Sequence, residues 1–262
     1  MLPWLQPFPS DPVLVAAGIA GFAALGSFLG AAQARLGAAI DGEGTYAGRS
    51  FRGGRSICPS CGTTLVVRDL VPVVSWLALG QRCRHCGAAI PADYAAIEAG
   101  SALAFLLALW LGGPWITVVA RGILGAVLVA LVVVDLRRQL LPDALTLPLL
   151  PLGLLEAWLV GGDLPAAVAG IAFGGGLLWL VQVLYRRLRG REGLGIGDVK
   201  LMAAGGAWVG PAGVGPVLLI AATATLAAAG IAYLLGRGPG LTTRIAFGPG
   251  LALGIFAMAL AF

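Results

Sequence analysis

Long apolar runs dominate this chain, and its polar and charged residues gather in the stretches between them. A helix that crosses a bilayer needs about 20 mostly apolar residues. Measured against that length, the runs predict eight spanning helices, near residues 13–34, 95–112, 114–134, 143–161, 165–185, 199–211, 213–235 and 245–262. The sixth is short and follows a glycine-rich turn, so a broken or re-entrant helix is an alternative there, and the boundaries are open by several residues.

The composition is typical of a membrane protein. Of the 262 residues, 59% are hydrophobic and 11% are charged, whereas about a quarter of the residues of a soluble domain are charged. The 41 glycines fit this class, because small residues allow membrane helices to approach closely. The first run, from Val13, is long enough to span and has no basic residue before it, so we interpret it as a retained helix rather than a cleaved signal. The sequence therefore predicts an all-α polytopic membrane protein of about eight transmembrane helices.

Basic residues set the predicted orientation. With the N-terminus outside, all but Arg121 of the 17 lysines and arginines fall in cytoplasmic segments, as the positive-inside bias of membrane proteins requires. This bias also accounts for the net charge of +5. We therefore expect the bilayer, and no nucleic acid, as the basic surface's partner.

Arg121 and Glu156 fall at similar depth on two consecutive predicted spans. Because lone charges inside a membrane are rare, an ion pair between them is expected. The alternative is that each side chain extends separately to the outer interface.

Residues 36–94 form the one stretch between spans that is large enough for a soluble subdomain, between a first helix (1–35) and a membrane core (95–262). It contains all four cysteines, in two C-x2-C pairs with 21 residues between them. These are Cys58 and Cys61 in CPSC, and Cys83 and Cys86 in CRHC. Four thiolates with this spacing are typical of a structural zinc site with no open position. Two disulfides are the alternative, which a reducing cytosol disfavours.

His85, the single histidine of the chain, lies inside the second cysteine pair. It could replace a cysteine as ligand, although a solvated position beside the site is the stronger expectation. With no second histidine in the sequence, a catalytic Ser–His or Cys–His unit is nearly excluded.

Two aspartates occupy unusual positions at the predicted cytoplasmic side of the membrane. Asp135 ends the third span, and Asp198 opens the sixth behind Gly195 and Gly197 in LGIGDVK. Two carboxylates brought close together can share a proton, so that one activates water while the other donates, as in aspartic proteases. The two glycines are expected to supply backbone freedom for a turn at membrane depth. Acidic residues of transporters make similar patterns.

The other aspartates have simpler expected roles. Asp143 follows Pro142 and suits the start of the fourth helix, where a carboxylate is favoured. Asp41, Asp69 and Asp93 lie in the soluble segment, and we expect them to be solvated.

Several motifs, in order, resemble those of the prepilin peptidases (type IV prepilin leader peptidases) over nearly the whole chain. They are GSFL from Gly26, CPSCGTTL, DLVPVVSWLALGQRCRHCGAAI, IEAG, VDLRRQLLPDALTLPLL, REGLGIGDVKLMAAGGAWVG and FGPGLALG. The chain departs from the family's usual pattern at Gly30, where Asn is common, and at Ala246, where Pro is common.

The resemblance implies a G-x-G-D aspartyl protease of the bacterial inner membrane that cuts the basic leader from prepilins and pseudopilins at the cytoplasmic face. The implied catalytic pair is Asp135 and Asp198. Many members also methylate the new N-terminal amine with S-adenosylmethionine. Glu98 is a candidate for that transfer, with capping of its own helix as the alternative, and Lys200 either acts on Asp198 or faces lipid headgroups.

Three other functions remain open at this point. The first keeps the peptidase and drops the methyl transfer. The second is an ion-coupled transporter or channel that uses the membrane aspartates, which would leave the cysteine subdomain unexplained. The third is a non-enzymatic assembly protein whose cysteine subdomain docks a partner.

Overall fold

The computed structural model describes residues 6–9, 11–41, 56–190, 193–236 and 246–261. Apart from turns and three isolated bridges, the regular structure of this part of the chain is helical. The helices are α1 (Pro12–Asp41), α2 (Val74–Ala78), α3 (Ala92–Leu111), α4 (Trp115–Arg138), α5 (Asp143–Thr146), α6 (Leu149–Leu159), α7 (Leu164–Arg189), α8 (Ile196–Leu234) and α9 (Gly248–Ala261). A short 3-10 turn, Val67–Asp69, precedes α2. The predicted all-α fold is confirmed.

Five helices are long and apolar enough to cross a bilayer, namely α1, α3, α4, α7 and α8. The first four correspond to the first, second, third and fifth predicted spans, and the cysteine-containing segment lies between α1 and α3, as predicted. The described part of the eighth span, α9, has 14 residues. That is about 21 Å at 1.5 Å per residue, shorter than the bilayer core of about 30 Å.

The predicted fourth span, 143–161, is wrong as a single helix. The structure has α5, of 4 residues, and α6, of 11 residues, in its place. Pro148 and Pro151 lie at this junction and lack the N–H groups that would continue the helical hydrogen bonds from α5. Each piece is therefore shorter than a spanning helix.

The long helix α8 is interrupted at Gly210, whose φ of 62° and ψ of −178° are not helical. Glycine adopts positive φ without steric strain, and the following Pro211 disfavours helical geometry at the residue before it. The break lies where the sixth and seventh predicted spans were separated. The 39 residues of α8 thus form two successive helical segments rather than one straight rod of about 58 Å.

The helices form two groups that meet along α4 and α9. In the first group α3 packs between α1 and α4, and in the second α8 packs between α7 and α9. Phe22 of α1 stacks on Phe105 of α3 with ring centroids 4.6 Å apart. Contacts of α4 with α9 join the groups, so the end of α4 lies close to the start of α9.

Two pairs of charged residues indicate how the helices are arranged. Arg137, in the last turn of α4, donates to Asp93, in the first turn of α3, at 2.7 Å, so these two helix ends lie at the same end of the bundle. Arg121 and Glu156 interact through their charges. They do not, however, belong to the ion pairs within 4.0 Å found among the described residues. The direct ion pair expected from the sequence is therefore not formed.

Small residues set the distance between α7 and α8. A side-chain carbon on Gly170 would overlap the carbonyl oxygen of Gly206, and one on Gly174 would lie 2.9 Å from the carbonyl oxygen of Met202. A carbon on Gly176, in the same helix, would meet nothing within 4 Å. The helix backbones are therefore in direct contact along one face of α7, as small residues permit in membranes.

We predict that Gly170→Ala destabilises the protein, because forcing extra volume into a packed interface costs about 1–3 kcal/mol. The matched control, Gly176→Ala, should be neutral or slightly stabilising, since alanine is the better helix former by about 1 kcal/mol. Thermal unfolding of both purified variants in detergent measures the difference. A Gly170→Ala protein as stable as the control would contradict this packing.

Candidate active site and metal centre

Asp135 is buried in the last turns of α4, with 6% of its surface exposed. Its Oδ2 accepts a hydrogen bond of 3.1 Å from the backbone N–H of Gly248. Gly248 is the first residue of α9, where backbone N–H groups have no partner within the helix and the positive end of the helix dipole favours an anion. The start of α9 therefore fixes and stabilises this carboxylate.

There is no room for a side chain at residue 248. A side-chain carbon there would lie 2.6 Å from Oδ2 of Asp135 and 3.4 Å from Leu141. The amide can approach the carboxylate only because residue 248 is glycine.

Asp198 lies in the first turn of α8, and its carboxylate caps that helix. Its Oδ2 accepts from the backbone N–H of Gly195 at 3.2 Å, and its own N–H donates to the carbonyl oxygen of Gly195 at 3.2 Å. These reciprocal bonds satisfy backbone groups at the helix start and fix the carboxylate. The side chain of Asp198 is half-buried.

The two glycines before Asp198 do not have the role expected from the sequence. Gly195 has φ −74° and ψ 146°, an extended conformation open to any residue. Gly197 lies inside α8 without a positive φ. A side-chain carbon on Gly197 would lie 3.0 Å from Leu141, so its function in the fold is close packing rather than backbone freedom.

Leu141 connects the two aspartate-bearing elements. It lies just after α4 and packs against both Gly197 of α8 and Gly248 of α9. Asp135 and Asp198 are close enough for their charges to interact. The structure therefore brings both aspartates to one end of the bundle, where α4, α8 and α9 converge.

Lys200 has a partner that was not expected from the sequence, where it was expected to act on Asp198 or to face lipid headgroups. Its Nζ donates to both carboxylate oxygens of Asp143, each at 2.8 Å. Asp143 is the first residue of α5, in line with the expected helix start. The pair joins α5 to α8 beside the two aspartates.

The four cysteines lie in two matching turns. In the first, the N–H of Cys58 donates to the carbonyl of Thr63, and the N–H of Gly62 donates to the carbonyl of Cys58, both at 2.9 Å. In the second, Cys83, Ala88 and Gly87 repeat the same bonds at 2.8 and 2.9 Å. Gly62 and Gly87 both have positive φ, 72° and 69°, so each C-x2-C-G turn closes through a glycine that tolerates this geometry.

The sulfur atoms fit a tetrahedral metal ion. All four Sγ atoms lie within 4.8 Å of one another, and those of Cys58 and Cys86 are 3.9 Å apart. Ligands about 2.3 Å from zinc in a tetrahedron are about 3.8 Å apart, whereas a disulfide bond is about 2.05 Å long. All four cysteines are free, so they are positioned to bind a metal ion rather than to pair as disulfides.

The surroundings of the thiols differ. At Cys86 a backbone hydrogen bond from Ala88 lowers the pKa, but burial and the neighbouring thiols outweigh it and raise that pKa to about 11. Hydrogen bonds with the side chain and backbone of Thr63 lower the pKa of Cys61 to about 6, which favours the thiolate that binds metals. His85 is exposed and is not a member of the group of possible ligands. The site is therefore complete without it.

Glu98 is buried, with 8% of its surface exposed, near the start of α3. Its Oε2 accepts from the backbone N–H of Val73 at 2.7 Å, and Val73 immediately precedes α2. Glu98 itself lies well inside α3 and does not cap that helix. Its carboxylate instead attaches the start of α2 to the membrane core.

Two aspartates expected to be solvated are paired. The side chain of Asp69 is 3% exposed and accepts two hydrogen bonds from Arg84, at 2.8 and 2.9 Å. Asp93 is paired with Arg137. The side chain of Asp41 lies outside the described residues.

The sequence interpretation also missed Gly248 and Leu141, which hold the aspartates in place. The FGPG motif that contains Gly248 could have indicated a helix start. Nothing in the sequence says which side chain that start contacts.

Comparison with known proteins finds two matching family models. Residues 19–111 match the bacterial peptidase A24 N-terminal domain, and residues 122–233 match the type IV leader peptidase family. The first match contains the cysteine site and Glu98, and the second contains both aspartates. No solved structure matches the chain significantly.

Three relatives illustrate the match to whole proteins. The chain is 44% identical over 201 residues to a prepilin leader peptidase/N-methyltransferase of Burkholderia pseudomallei, covering 76% of this chain and 65% of the relative, slightly less than two thirds of its length. It is 42% identical over 208 residues to a type 4 prepilin-like proteins leader peptide-processing enzyme of Escherichia coli O78:H11, covering 76% and 73%. It is 36% identical over 249 residues to a prepilin leader peptidase/N-methyltransferase of Dichelobacter nodosus, covering 87% and 85%. The chain belongs to the type IV leader peptidase family.

Proposed function

We propose that this chain is an aspartyl endopeptidase that removes the basic leader from type IV prepilins or pseudopilins at the cytoplasmic face of a bacterial inner membrane. The observation that carries the proposal is the convergence of Asp135 and Asp198 at one end of the helix bundle. The names of the relatives supply the substrate class, and the distribution of basic residues supplies the orientation. In this proposal the prepilin inserts its apolar helix beside the enzyme and its leader stays in the cytoplasm.

The hydrogen bonds of the two carboxylates support their proposed roles. In each carboxylate Oδ2 is engaged by a backbone N–H, from Gly248 and from Gly195. No described residue donates to Oδ1 of either aspartate, so both have an oxygen available for water and substrate. One carboxylate, as general base, removes a proton from the water that attacks the scissile carbonyl. The other, protonated, donates to the carbonyl oxygen.

Gly195, Gly197 and Lys200 support this site indirectly. Gly195 fixes the carboxylate of Asp198, and Gly197 allows α8 to approach Leu141. Lys200 positions the start of α5 through Asp143. None of the three is proposed to contact the reacting atoms.

The proposal includes methylation of the new N-terminal amine, because two of the relatives carry that activity in their names. S-adenosylmethionine, when bound, supplies a methyl group on a positively charged sulfur. Glu98 is the proposed acceptor of the proton that the amine releases, since it is a buried carboxylate and no described residue forms an ion pair with it. A peptidase without methyl transfer remains the simpler version of the same proposal.

We propose zinc as the metal of the cysteine site, with Cys58, Cys61, Cys83 and Cys86 as ligands. Four thiolates leave no open position, so the ion's role is to stabilise the subdomain. The proposed organisation is a first helix (1–35), a zinc subdomain (36–94) and a membrane protease core (95–262).

A transporter or a docking protein is not favoured, because neither accounts for a match to the peptidase family.

We predict that Asp135→Asn and Asp198→Asn each reduce cleavage of a synthetic prepilin in detergent about a hundredfold or more, since general acid–base catalysis contributes about 10²–10⁴-fold. Asparagine keeps an oxygen that accepts the Gly248 or Gly195 N–H, so both proteins should accumulate normally. The control is Asp163→Asn, at the N-cap of α7, where asparagine caps as well as aspartate. Gel analysis of precursor and product measures the rates. Normal cleavage by either catalytic-site variant would refute the proposal.

We predict that the purified protein contains about one zinc ion per chain and that Cys58→Ser or Cys83→Ser removes it, because a closed thiolate site needs all four ligands. His85→Ala should keep its zinc. Elemental analysis by mass spectrometry measures the content of each variant. Loss of zinc in His85→Ala, with zinc retained in a cysteine variant, would mean that histidine replaces a cysteine as ligand.

A further inference from the structure

One segment of the cysteine subdomain, residues 66–77, carries many exposed apolar side chains, and we call it the apolar segment. Large aliphatic residues with 37% to 83% of their surface exposed occupy six of its twelve positions, namely Val66, Val67, Leu70, Val71, Val74 and Leu77. Neither the 3-10 turn nor α2, which both begin in this segment, has a buried residue. Contiguous exposed apolar surface of this kind marks an interaction site.

Two hydrogen bonds fix the backbone of the apolar segment. The N–H of Val73 donates to Oε2 of Glu98 at 2.7 Å, and the indole N–H of Trp76 donates to the carbonyl oxygen of Ile90 at 3.1 Å. Val73 has φ 60° and ψ −46°, which is unfavourable for a β-branched residue and persists only where its surroundings impose it. The exposure of the apolar side chains therefore belongs to a defined conformation.

The bond to Glu98 sets the depth of the apolar segment in the bilayer. The 20 residues of α3 extend about 30 Å, which matches the thickness of the hydrocarbon core, about 30 Å. Asp93, in the first turn of α3, pairs with Arg137, and such a charged pair is favoured at the polar edge of the membrane. Glu98 lies about 7–8 Å further along the helix axis than Asp93. Val73, which is bonded to Glu98, therefore lies below the polar edge.

One face of α3 is open to lipid at the same depth. Exposed residues recur along it every three or four positions, namely Ala96, Ala99, Leu103, Leu107 and Trp110. This spacing corresponds to one side of a helix. The exposed face includes the level of Glu98, so lipid surrounds the bundle where Val73 is attached. Apolar side chains exposed at that depth contact acyl chains rather than water.

The charges of the apolar segment suit anionic lipid headgroups. They are Arg68 and Asp69. Asp69 accepts two hydrogen bonds from Arg84, whereas the side chain of Arg68, next to the most exposed valine, is itself exposed. Basic side chains beside an apolar surface are attracted to anionic headgroups. The same arginine would repel the basic leader of a prepilin, so a lipid surface is the better partner.

We propose that residues 66–77 anchor the cysteine subdomain in the membrane interface. Their exposed valines and leucines insert among the acyl chains of the nearer leaflet, and Arg68 binds anionic headgroups. Interfacial segments are buried by about 5–10 Å in this boundary, which agrees with the depth set by Glu98. The anchor places the metal-binding turns at a fixed height above the membrane core. It does not depend on the peptidase or methyltransferase activity.

Photo-crosslinking tests what covers the apolar segment. The photoreactive residue p-benzoylphenylalanine replaces Val67, which is 83% exposed, so that the larger side chain displaces little packing. The full chain is irradiated in nanodiscs of equal parts phosphatidylglycerol and phosphatidylethanolamine, and its adducts are weighed by mass spectrometry. In the positive control the label replaces Trp110, which is 81% exposed on α3. We expect lipid adducts at both positions, with the anionic phosphatidylglycerol enriched at position 67 relative to position 110.

A second variant tests the role of Arg68. In the protein labelled at position 67, Arg68→Gln should lower the ratio of phosphatidylglycerol to phosphatidylethanolamine adducts by up to about fivefold, the factor equivalent to 1 kcal/mol per basic residue at an anionic surface. The matched control, Arg189→Gln, changes an exposed arginine at the end of α7 and should leave the ratio as it is. An unchanged ratio in Arg68→Gln would show that Arg68 does not bind headgroups.

The masses of the adducts separate the possible occupants. Absence of lipid adducts at position 67, with adducts present at position 110, would overturn the anchor. An adduct with a second copy of the chain, or with added prepilin, in place of lipid would assign the surface to that protein instead. Zinc content relative to the unlabelled chain reports whether the label disturbs the subdomain. If zinc is lost, the label at Leu77 decides by the same criteria. Lipid adducts in a chain that does not cleave prepilin would refute the proposed peptidase function and leave the anchor standing.

Discussion

The hydrogen bond from Gly248 to Asp135 is the interaction on which the arrangement of the membrane core depends. A carboxylate inside a membrane protein is costly unless polar groups compensate it. Here the compensation comes from the start of α9, which supplies a free N–H and the positive end of a helix dipole. Reaching Asp135 requires α9 to pack against the end of α4, so the position of one carboxylate fixes how the two groups of helices join.

Close packing around glycine then brings the second aspartate to the same place. Leu141 fills the space between Gly197 and Gly248, and the direct backbone contact of Gly170 with Gly206 holds α8 against α7. Asp198 caps α8 with its own carboxylate, so its orientation is set by the helix it starts. The cysteine subdomain is connected to this core in a similar way, through the bond between Val73 and Glu98. The aspartates and the cysteine subdomain are therefore held by one framework of helices.

Much of the helical fold and of the cysteine site could be predicted from the sequence, because both depend on local sequence patterns. Apolar runs located five long helices, and the C-x2-C spacing identified a cluster that the structure assembles. The fourth span was wrong because the length of an apolar run was counted without its prolines. Pro148 and Pro151 lie within that run and divide it into α5 and α6.

Other features could not be predicted because they join residues distant in sequence. Gly248 and Asp135 are 113 positions apart, and a backbone donor leaves no side-chain signal of its partner. Asp69 appeared to be an ordinary surface acid, and its partner Arg84 lies 15 positions away in the sequence. The packing role of Gly197 likewise depends on Leu141, which belongs to a different element. In each case the sequence shows the residue type but does not show which residue it contacts.

The convergence of Asp135 and Asp198 can be tested by the distance between their carboxylates in an experimental structure of the full chain in lipid nanodiscs. We expect their nearest oxygens to lie within about 6 Å, so that one water can bond to both at about 2.7–3.0 Å. We also expect the backbone N–H of Gly248 to remain bonded to Asp135. Carboxylates well beyond that distance, or facing different ends of the bundle, would contradict it.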